Sequence, residues 1–285
     1  MLFRVPLFAL AFCYRIASRL HHLVCLKPGK PLGHARLVVV GSFLSGGAGK
    51  TPFCAWLAQH LHAGTFGRPY KNIAILCHKA ARDEAEMLRT KLPFATVIAT
   101  ANRYRTAHEL DREYDCILCD DGFEDSRLTG ATVVRLDRSA PPRRIRDLVP
   151  AGKNRSLEQD HETPALILTR KDVQFRIARI ANADGSPGPA DPAVLCGIAD
   201  PARFLADLAT FGITPSRAIA LPDHSKKFEK KLLELIGQGI ATVITEKDSA
   251  RLSEATRKNP LVFVAYQEIN VQEQASKGFY YIFSK

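Results

Sequence analysis

The chain has 285 residues, 46% of them hydrophobic and 24% charged, enough to bury a sizeable core as one large domain or two small ones. Seven cysteines are too few, and odd in number, for a disulfide framework, so reduced thiols are expected. The net charge of +11 sits at one end. Residues 1–82 hold eleven Lys or Arg and no Asp or Glu, and the rest carries 29 of each sign, so the chain calls for a polyanionic partner. With no aromatic-plus-basic platform beside those charges, nucleic acid is not expected.

The N-terminus carries a ten-residue apolar run, Val5–Tyr14, half of what a membrane-spanning helix needs. Arg15 and Arg19 lie four apart among Phe8, Leu10, Phe12 and Ile16. That pattern suits an amphipathic helix lying in the headgroups, with its arginines on anionic lipid. No small-residue cleavage site follows the run, which argues against a signal peptide. An ordinary core helix remains the alternative. Residues 1–35 are assigned to this helix and its lead-in.

From Arg36 the pattern is α/β. Leu37–Val40 is a short β-branched run, 41–51 a glycine-rich turn, and Pro52–His62 reads as a helix. Ile73–Leu76, Thr96–Ala99, Cys116–Cys119, Thr132–Leu136 and Ala165–Leu168 are further apolar runs with helical or loop spacers. Apolar strands alternating with helices imply a P-loop NTPase-like, mostly parallel sheet with helices on both faces, assigned to 36–181. Cys116 and Cys119 fall three apart on one strand and point to opposite faces, so they are not expected to share a metal. The stretch 182–192, rich in Pro and Gly, reads as a linker or long loop. A smaller α/β unit follows over 193–285. The chain shows no internal repeat.

The strongest chemical signal is Val40-Gly-Ser-Phe-Leu-Ser-Gly-Gly-Ala-Gly-Lys-Thr-Pro52. A strand feeds a glycine turn that opens a helix, the arrangement that cradles nucleotide phosphates in backbone N–H groups. Gly46, Gly47, Ala48, Gly49, Lys50, Thr51 and Pro52 are the expected nucleotide-binding residues. Lys50 would neutralise the β and γ phosphates, and the Thr51 hydroxyl would ligate Mg²⁺. The strict Walker spacing would place a glycine where Leu44 stands. The second signal is the apolar strand ending in Asp120-Asp121-Gly-Phe-Glu124. Carboxylates at a strand C-terminus open into the ligand crevice of a parallel sheet, so Asp120 and Asp121 are expected at the Mg²⁺ of bound ATP.

Together, Gly-Gly-Ala-Gly-Lys-Thr-Pro and Asp-Asp-Gly-Phe-Glu resemble the Gly-Gly-Thr-Gly-Lys-Thr-Pro and Asp-Asp-Gly-Phe-Gln motifs of the tetraacyldisaccharide 4'-kinases, which phosphorylate the lipid A precursor. Further pieces occur in the family's order: Arg82-Asp-Glu-Ala-Glu-Met-Leu88, Asn102-Arg103-Tyr104, Leu148-Val-Pro-Ala-Gly152 with Arg155, Cys196–Pro201, Pro222-Asp-His224 and Thr245-Glu-Lys-Asp248. The resemblance implies transfer of the ATP γ-phosphate to the 4'-hydroxyl of an acylated disaccharide phosphate lipid. It implies a monotopic protein, expected as a monomer, on the cytoplasmic face of the bacterial inner membrane. It makes Asp83 the base, with His224 as partner beside Lys50, and puts Arg103 and Glu124 near the acceptor. The chain departs from the family pattern at Cys77–Ala81, at Glu124-Asp125 where the family has Gln-His, at Ser156 where it has Glu, and at Ser225. Two other readings stay open. One is a P-loop ATPase or GTPase switch or metal chaperone, to which Thr245–Asp248 lends a hint of a guanine-reading motif. The other is an ATP-binding homologue that has lost transfer.

Overall fold

A computed structural model describes residues 4–44, 46–223 and 225–284. The chain divides into two compact units. The first runs to Val173 and takes up again from Val271, and the second is Gln174–Asn270.

The first unit opens with helix α1 (Arg4–Cys25) and continues as β1 (Arg36–Gly41), α2 (Lys50–His62), β2 (Ile73–His78), α3 (Arg82–Lys91), β3 (Thr96–Thr100), α4 (Arg103–Leu110), β4 (Cys116–Asp120), β5 (Thr132–Asp137) and β6 (Leu166–Thr169). The strands form one parallel sheet in the order β3-β2-β4-β1-β5-β6. Its central strands are buried along nearly their whole length, because helices cover both faces. That is why Leu37–Val40 and Cys116–Cys119 are unbroken apolar runs rather than alternating ones. The mostly parallel sheet expected from the sequence is therefore present. Cys116 and Cys119 are both fully buried, and their thiols are pushed up to about 12, chiefly by that burial.

Among the described residues of α1 only Ala11 is fully buried, in a small apolar seam with Leu148 and Leu157. Leu7, Phe8, Leu10, Phe12, Ile16, Leu20, Leu23 and Val24 stay exposed. Among the described residues no helix is long and apolar enough to cross a membrane. Arg15 and Arg19 differ from expectation. Both engage Asp160 Oδ1, at 3.3 and 3.0 Å, and the Arg15 side chain is only 11% exposed. A carboxylate 145 and 141 residues further along the chain engages arginines that the local pattern assigned to lipid.

The second unit holds β7 (Val173–Ala181), β8 (Ala193–Cys196), α5 (Pro201–Thr210), β9 (Arg217–Ala220), α6 (Phe228–Gly237), β10 (Thr242–Thr245), α7 (Glu246–Ala250), α8 (Glu254–Arg257) and β11 (Val262–Val271), in sheet order β7-β11-β10-β8-β9. Its limits differ from the sequence reading. Residues 182–192 do not join the two units; they are a loop inside the second, with Asn182 Oδ1 accepting from the Asp184 and Ser186 amides. The unit begins with β7, whose alternate residues Val173, Phe175 and Ile177 are buried. Its pairing partner β11 lies some ninety residues on, beyond the reach of local pattern. Asp248 is fully buried. Its carboxylate accepts from Thr245 Oγ1 at 2.8 Å and from the Gly197 amide at 3.1 Å, and it pairs with Arg251. The supposed guanine-reading motif is thus spent on a helix cap and a buried ion pair.

The chain then returns to the first unit as α9 (Glu273–Phe283), also not expected from the sequence. Phe279 and Phe283 are buried there, Phe279 against Phe66 and Trp56 with ring centroids 5.2 and 5.5 Å away. Gln272 N donates to Asp172 O at 2.9 Å, where the chain leaves and re-enters this unit.

Candidate active site

In a parallel sheet every strand C-terminus emerges on the same edge, and ligands collect there beside the point where strand order reverses. β1 and β4 are neighbours in register, Val40 opposite Asp120, so the loop after β1 and the carboxylates after β4 come out side by side. Gly41 is needed at this exit, because a Cβ there would lie 2.2 Å from Phe123 Cβ. Gly49 caps α2 in the left-handed region, φ 80°, which glycine adopts without strain. Gly46–Gly49 thus lead into the N-terminus of a 13-residue helix with Lys50, Thr51 and Pro52 in its first turn.

Thr51 Oγ1 donates to Asp120 Oδ2 at 2.7 Å, and the Cys54 thiol lies 3.7 Å from Asp120 Oδ1. Asp120 is 6% exposed, and burial pushes its carboxyl up to about 6 despite the Thr51 hydrogen bond. The next residue behaves oppositely. Asp121 turns out of the strand with φ 62° and meets Lys50 Nζ at 3.6 Å through Oδ1 and Arg155 Nη1 at 2.8 Å through Oδ2. Burial alone would raise Asp121; Lys50 and Arg155 outweigh it and hold it below the ordinary carboxylate range. Arg103, at the start of α4, donates to the Asp120 carbonyl at 3.2 Å.

Thr51, Asp120 and Asp121 are the residues fit to hold a divalent cation. Asp120 is a buried carboxylate beside the N-terminus of α2, and a bound cation would favour its ionised form. Few protein oxygens converge, which suits Mg²⁺ that keeps several waters and is shared with phosphates.

Glu124 is held apart from this group. Ser156 Oγ donates to Glu124 Oε1 at 2.8 Å, and His161 Nε2 lies 2.7 Å from Ser156 Oγ and 3.7 Å from Glu124 Oε2. The His161 ring stacks on Phe123 at 4.2 Å, and its burial lowers it to about 4, so it is neutral near pH 7. Glu124, Ser156 and His161, with Arg15, Arg19, Arg155 and Asp160, line a cavity of about 430 Å³ against α1.

The geometry therefore brings Lys50, Thr51, Asp120, Asp121 and Arg103 together, with Glu124 in the adjoining cavity wall. Asp83 occupies the first turn of α3, which follows β2 on the same edge of the sheet, and is 8% exposed. His224 lies outside the described residues. The sequence reading missed His161 and Asp160. Neither stands in a motif, and each acts only through contacts made by the fold.

The model of the tetraacyldisaccharide-1-P 4'-kinase family matches residues 3–281. The chain belongs to this family. It is a lipid kinase of lipid A biosynthesis, which phosphorylates the 4'-hydroxyl of tetraacyldisaccharide 1-phosphate at the expense of ATP. Similar curated proteins include the tetraacyldisaccharide 4'-kinase of Parvibaculum lavamentivorans, 32% identical over 254 residues that cover 77% of this chain and 74% of that protein. That of Chlamydia trachomatis is 27% identical over 288 residues, covering 82% and 76%. Among solved structures, the "apo" form of LpxK from Aquifex aeolicus in complex with ATP matches the fold with a TM-score of 0.69 at 19% identity, covering 99% of this chain and all of that one.

Proposed function

We propose the following division of labour for this tetraacyldisaccharide 4'-kinase. The loop 46–52 cradles the ATP phosphates, and Lys50 stabilises the charge that develops as the γ-phosphoryl leaves ADP. Thr51, Asp120 and Asp121 hold Mg²⁺, which neutralises phosphate charge when bound. Asp83 takes the proton of the 4'-hydroxyl as the hydroxyl oxygen bonds to phosphorus, and His224 is assigned as its functional partner. Arg103 and Glu124 contact the acceptor. The observation that carries this reading is the side-by-side exit of the glycine loop and the Asp120–Asp121 pair, tied by Thr51 Oγ1 and Lys50 Nζ.

The lipid chains of the acceptor require an enzyme that works at a bilayer surface. The apolar side chains that α1 leaves exposed support a monotopic seat on an anionic membrane, at its cytoplasmic face, where ATP is available. Incubation with labelled ATP, Mg²⁺ and tetraacyldisaccharide 1-phosphate should label the lipid at its 4'-position. ATP hydrolysis with no label in the lipid would instead favour an ATPase switch or a homologue without transfer.

A further inference from the structure

Helix α2 packs against β4 and brings two donors to one carboxylate. Thr51 and Cys54 are three residues apart and therefore neighbours on the helix surface. Thr51 Oγ1 donates to Asp120 Oδ2 at 2.7 Å, and the Cys54 thiol faces Asp120 Oδ1 at 3.7 Å, within the longer reach of sulfur. An ionised carboxylate only accepts, so the proton in the second contact belongs to sulfur. Both side chains are buried, and among the described residues no other donor reaches Oδ1. A buried carboxylate oxygen needs such a partner. A thiol is a weak donor, but its bond strengthens when the acceptor is charged and water is shut out.

The two donors have different duties once a divalent cation is bound. Thr51 Oγ1 must turn its lone pairs to the cation and so releases Oδ2. The Cys54 thiol has no such duty and keeps Oδ1. One oxygen of Asp120 is then free, and the other stays tied. Mg²⁺ is small and exacting and takes few protein oxygens, whereas Ca²⁺ is larger, has a looser shell and accepts a carboxylate through both oxygens. We propose that Cys54 is a positioning residue that restricts Asp120 to a single-oxygen ligand and so biases the site towards Mg²⁺ over Ca²⁺. The inference rests on the functional reading above, in which Asp120 holds the metal. The rival is that Cys54 only fills space between helix and sheet, as free buried cysteines commonly do. Packing alone does not account for a polar contact to the one carboxylate oxygen that Thr51 leaves open.

The test is calorimetric binding of a non-hydrolysable ATP analogue to the full chain, with Mg²⁺ and with Ca²⁺, read as the ratio of the two dissociation constants. Cys54→Val fills the space of the thiol without a donor, and Cys54→Ala leaves a void. Both should shift the ratio towards Ca²⁺ by about threefold to tenfold, the effect of losing one modest hydrogen bond, although their melting temperatures differ. Infrared spectroscopy reads the bond itself. The wild-type minus Cys54→Ala spectrum isolates the Cys54 S–H stretch, which should lie below that of the exposed Cys13 and Cys25 and stay there when Mg²⁺ and the analogue are added. The proposal is overturned if the variants keep the wild-type ratio, if the ratio follows melting temperature rather than loss of the donor, or if the S–H band lies at, or moves to, the exposed-thiol position. Should the Val variant fail to fold, the Ala variant and the infrared band still decide. Asp120→Asn tests the reading beneath: it should abolish the strengthening of analogue binding by Mg²⁺. If the strengthening survives, Asp120 is not a metal ligand and both readings fall; if it is lost while the Cys54 variants behave as wild type, only the proposal does.

Discussion

Thr51 Oγ1 donates a hydrogen bond to Asp120 Oδ2 at 2.7 Å, tying the first turn of α2 to the last residue of β4. The bond joins the nucleotide loop to the carboxylate proposed to hold the metal, and it leaves that carboxylate buried. Asp120 titrates near 6, above its ordinary 3.8, because burial disfavours its charge. Between those values the unfolded chain carries fewer protons than the folded one, so stability falls as pH rises through the window and the cost is complete above about 6.

Asp120→Asn keeps an acceptor for Thr51 and removes that cost. Its melting temperature should exceed that of wild type by several degrees at pH 8, with the gap closing towards pH 4, while phosphoryl transfer falls sharply. Thermal melts in the absence of nucleotide and Mg²⁺ measure this. A gap independent of pH would mean that the charge of Asp120 is not what is being relieved.

Lys50 Nζ rests 3.6 Å from Asp121 and 3.4 Å from the Leu44 carbonyl. Lys50→Ala should lower turnover by roughly 10²–10³, the range for losing one preorganised charge in a transition state, with the circular dichroism spectrum unchanged. Near wild-type transfer would dissociate the loop from catalysis.

Asp83→Ala should cost roughly 10²–10⁴ in turnover, the usual contribution of a general base, and leave ATP affinity nearly untouched. His224→Ala should cost less. If the two residues act as a unit, the double variant loses less than the product of the single losses. Strictly multiplicative losses would separate His224 from Asp83.

The exposed face of α1 should govern association with lipid. Replacing Phe8, Phe12, Leu20 and Leu23 by Ser spares Ala11, the residue buried against Leu148 and Leu157, and should release the protein from anionic vesicles in a sedimentation assay. Added salt should weaken wild-type binding only to the extent that exposed cations contribute. Arg15 is withdrawn into its pair with Asp160 and should contribute little. Equal pelleting of both proteins would show that α1 is not the anchor.

Features that depend on neighbours in the chain were legible in the sequence. The run Leu37–Val40, the glycines after it and the helix from Lys50 announce themselves within fifteen residues, as does the strand ending at Asp120 and Asp121. Features made by distant residues were not. Arg15 and Arg19 read as lipid ligands until Asp160 is seen between them. Asp83 reads as an acid on a charged helix, yet it is buried in the first turn of α3. His161 has no motif, and its importance comes from Ser156 and Phe123 folded against it. Strand β7 and helix α9 each find their partners across roughly ninety residues or more, a separation that periodicity does not register.

The hydrogen bond from Gln272 to Asp172 marks where the polypeptide departs from and rejoins the first unit. The intervening residues are therefore an insertion whose two ends already touch, the topology in which a module can be excised or exchanged without breaking its host's connectivity. Joining 172 to 272 through a short turn would leave the phosphate loop, both aspartates and the closing aromatic helix on one continuous backbone. Such a minimal protein would ask whether nucleotide capture needs the second unit at all.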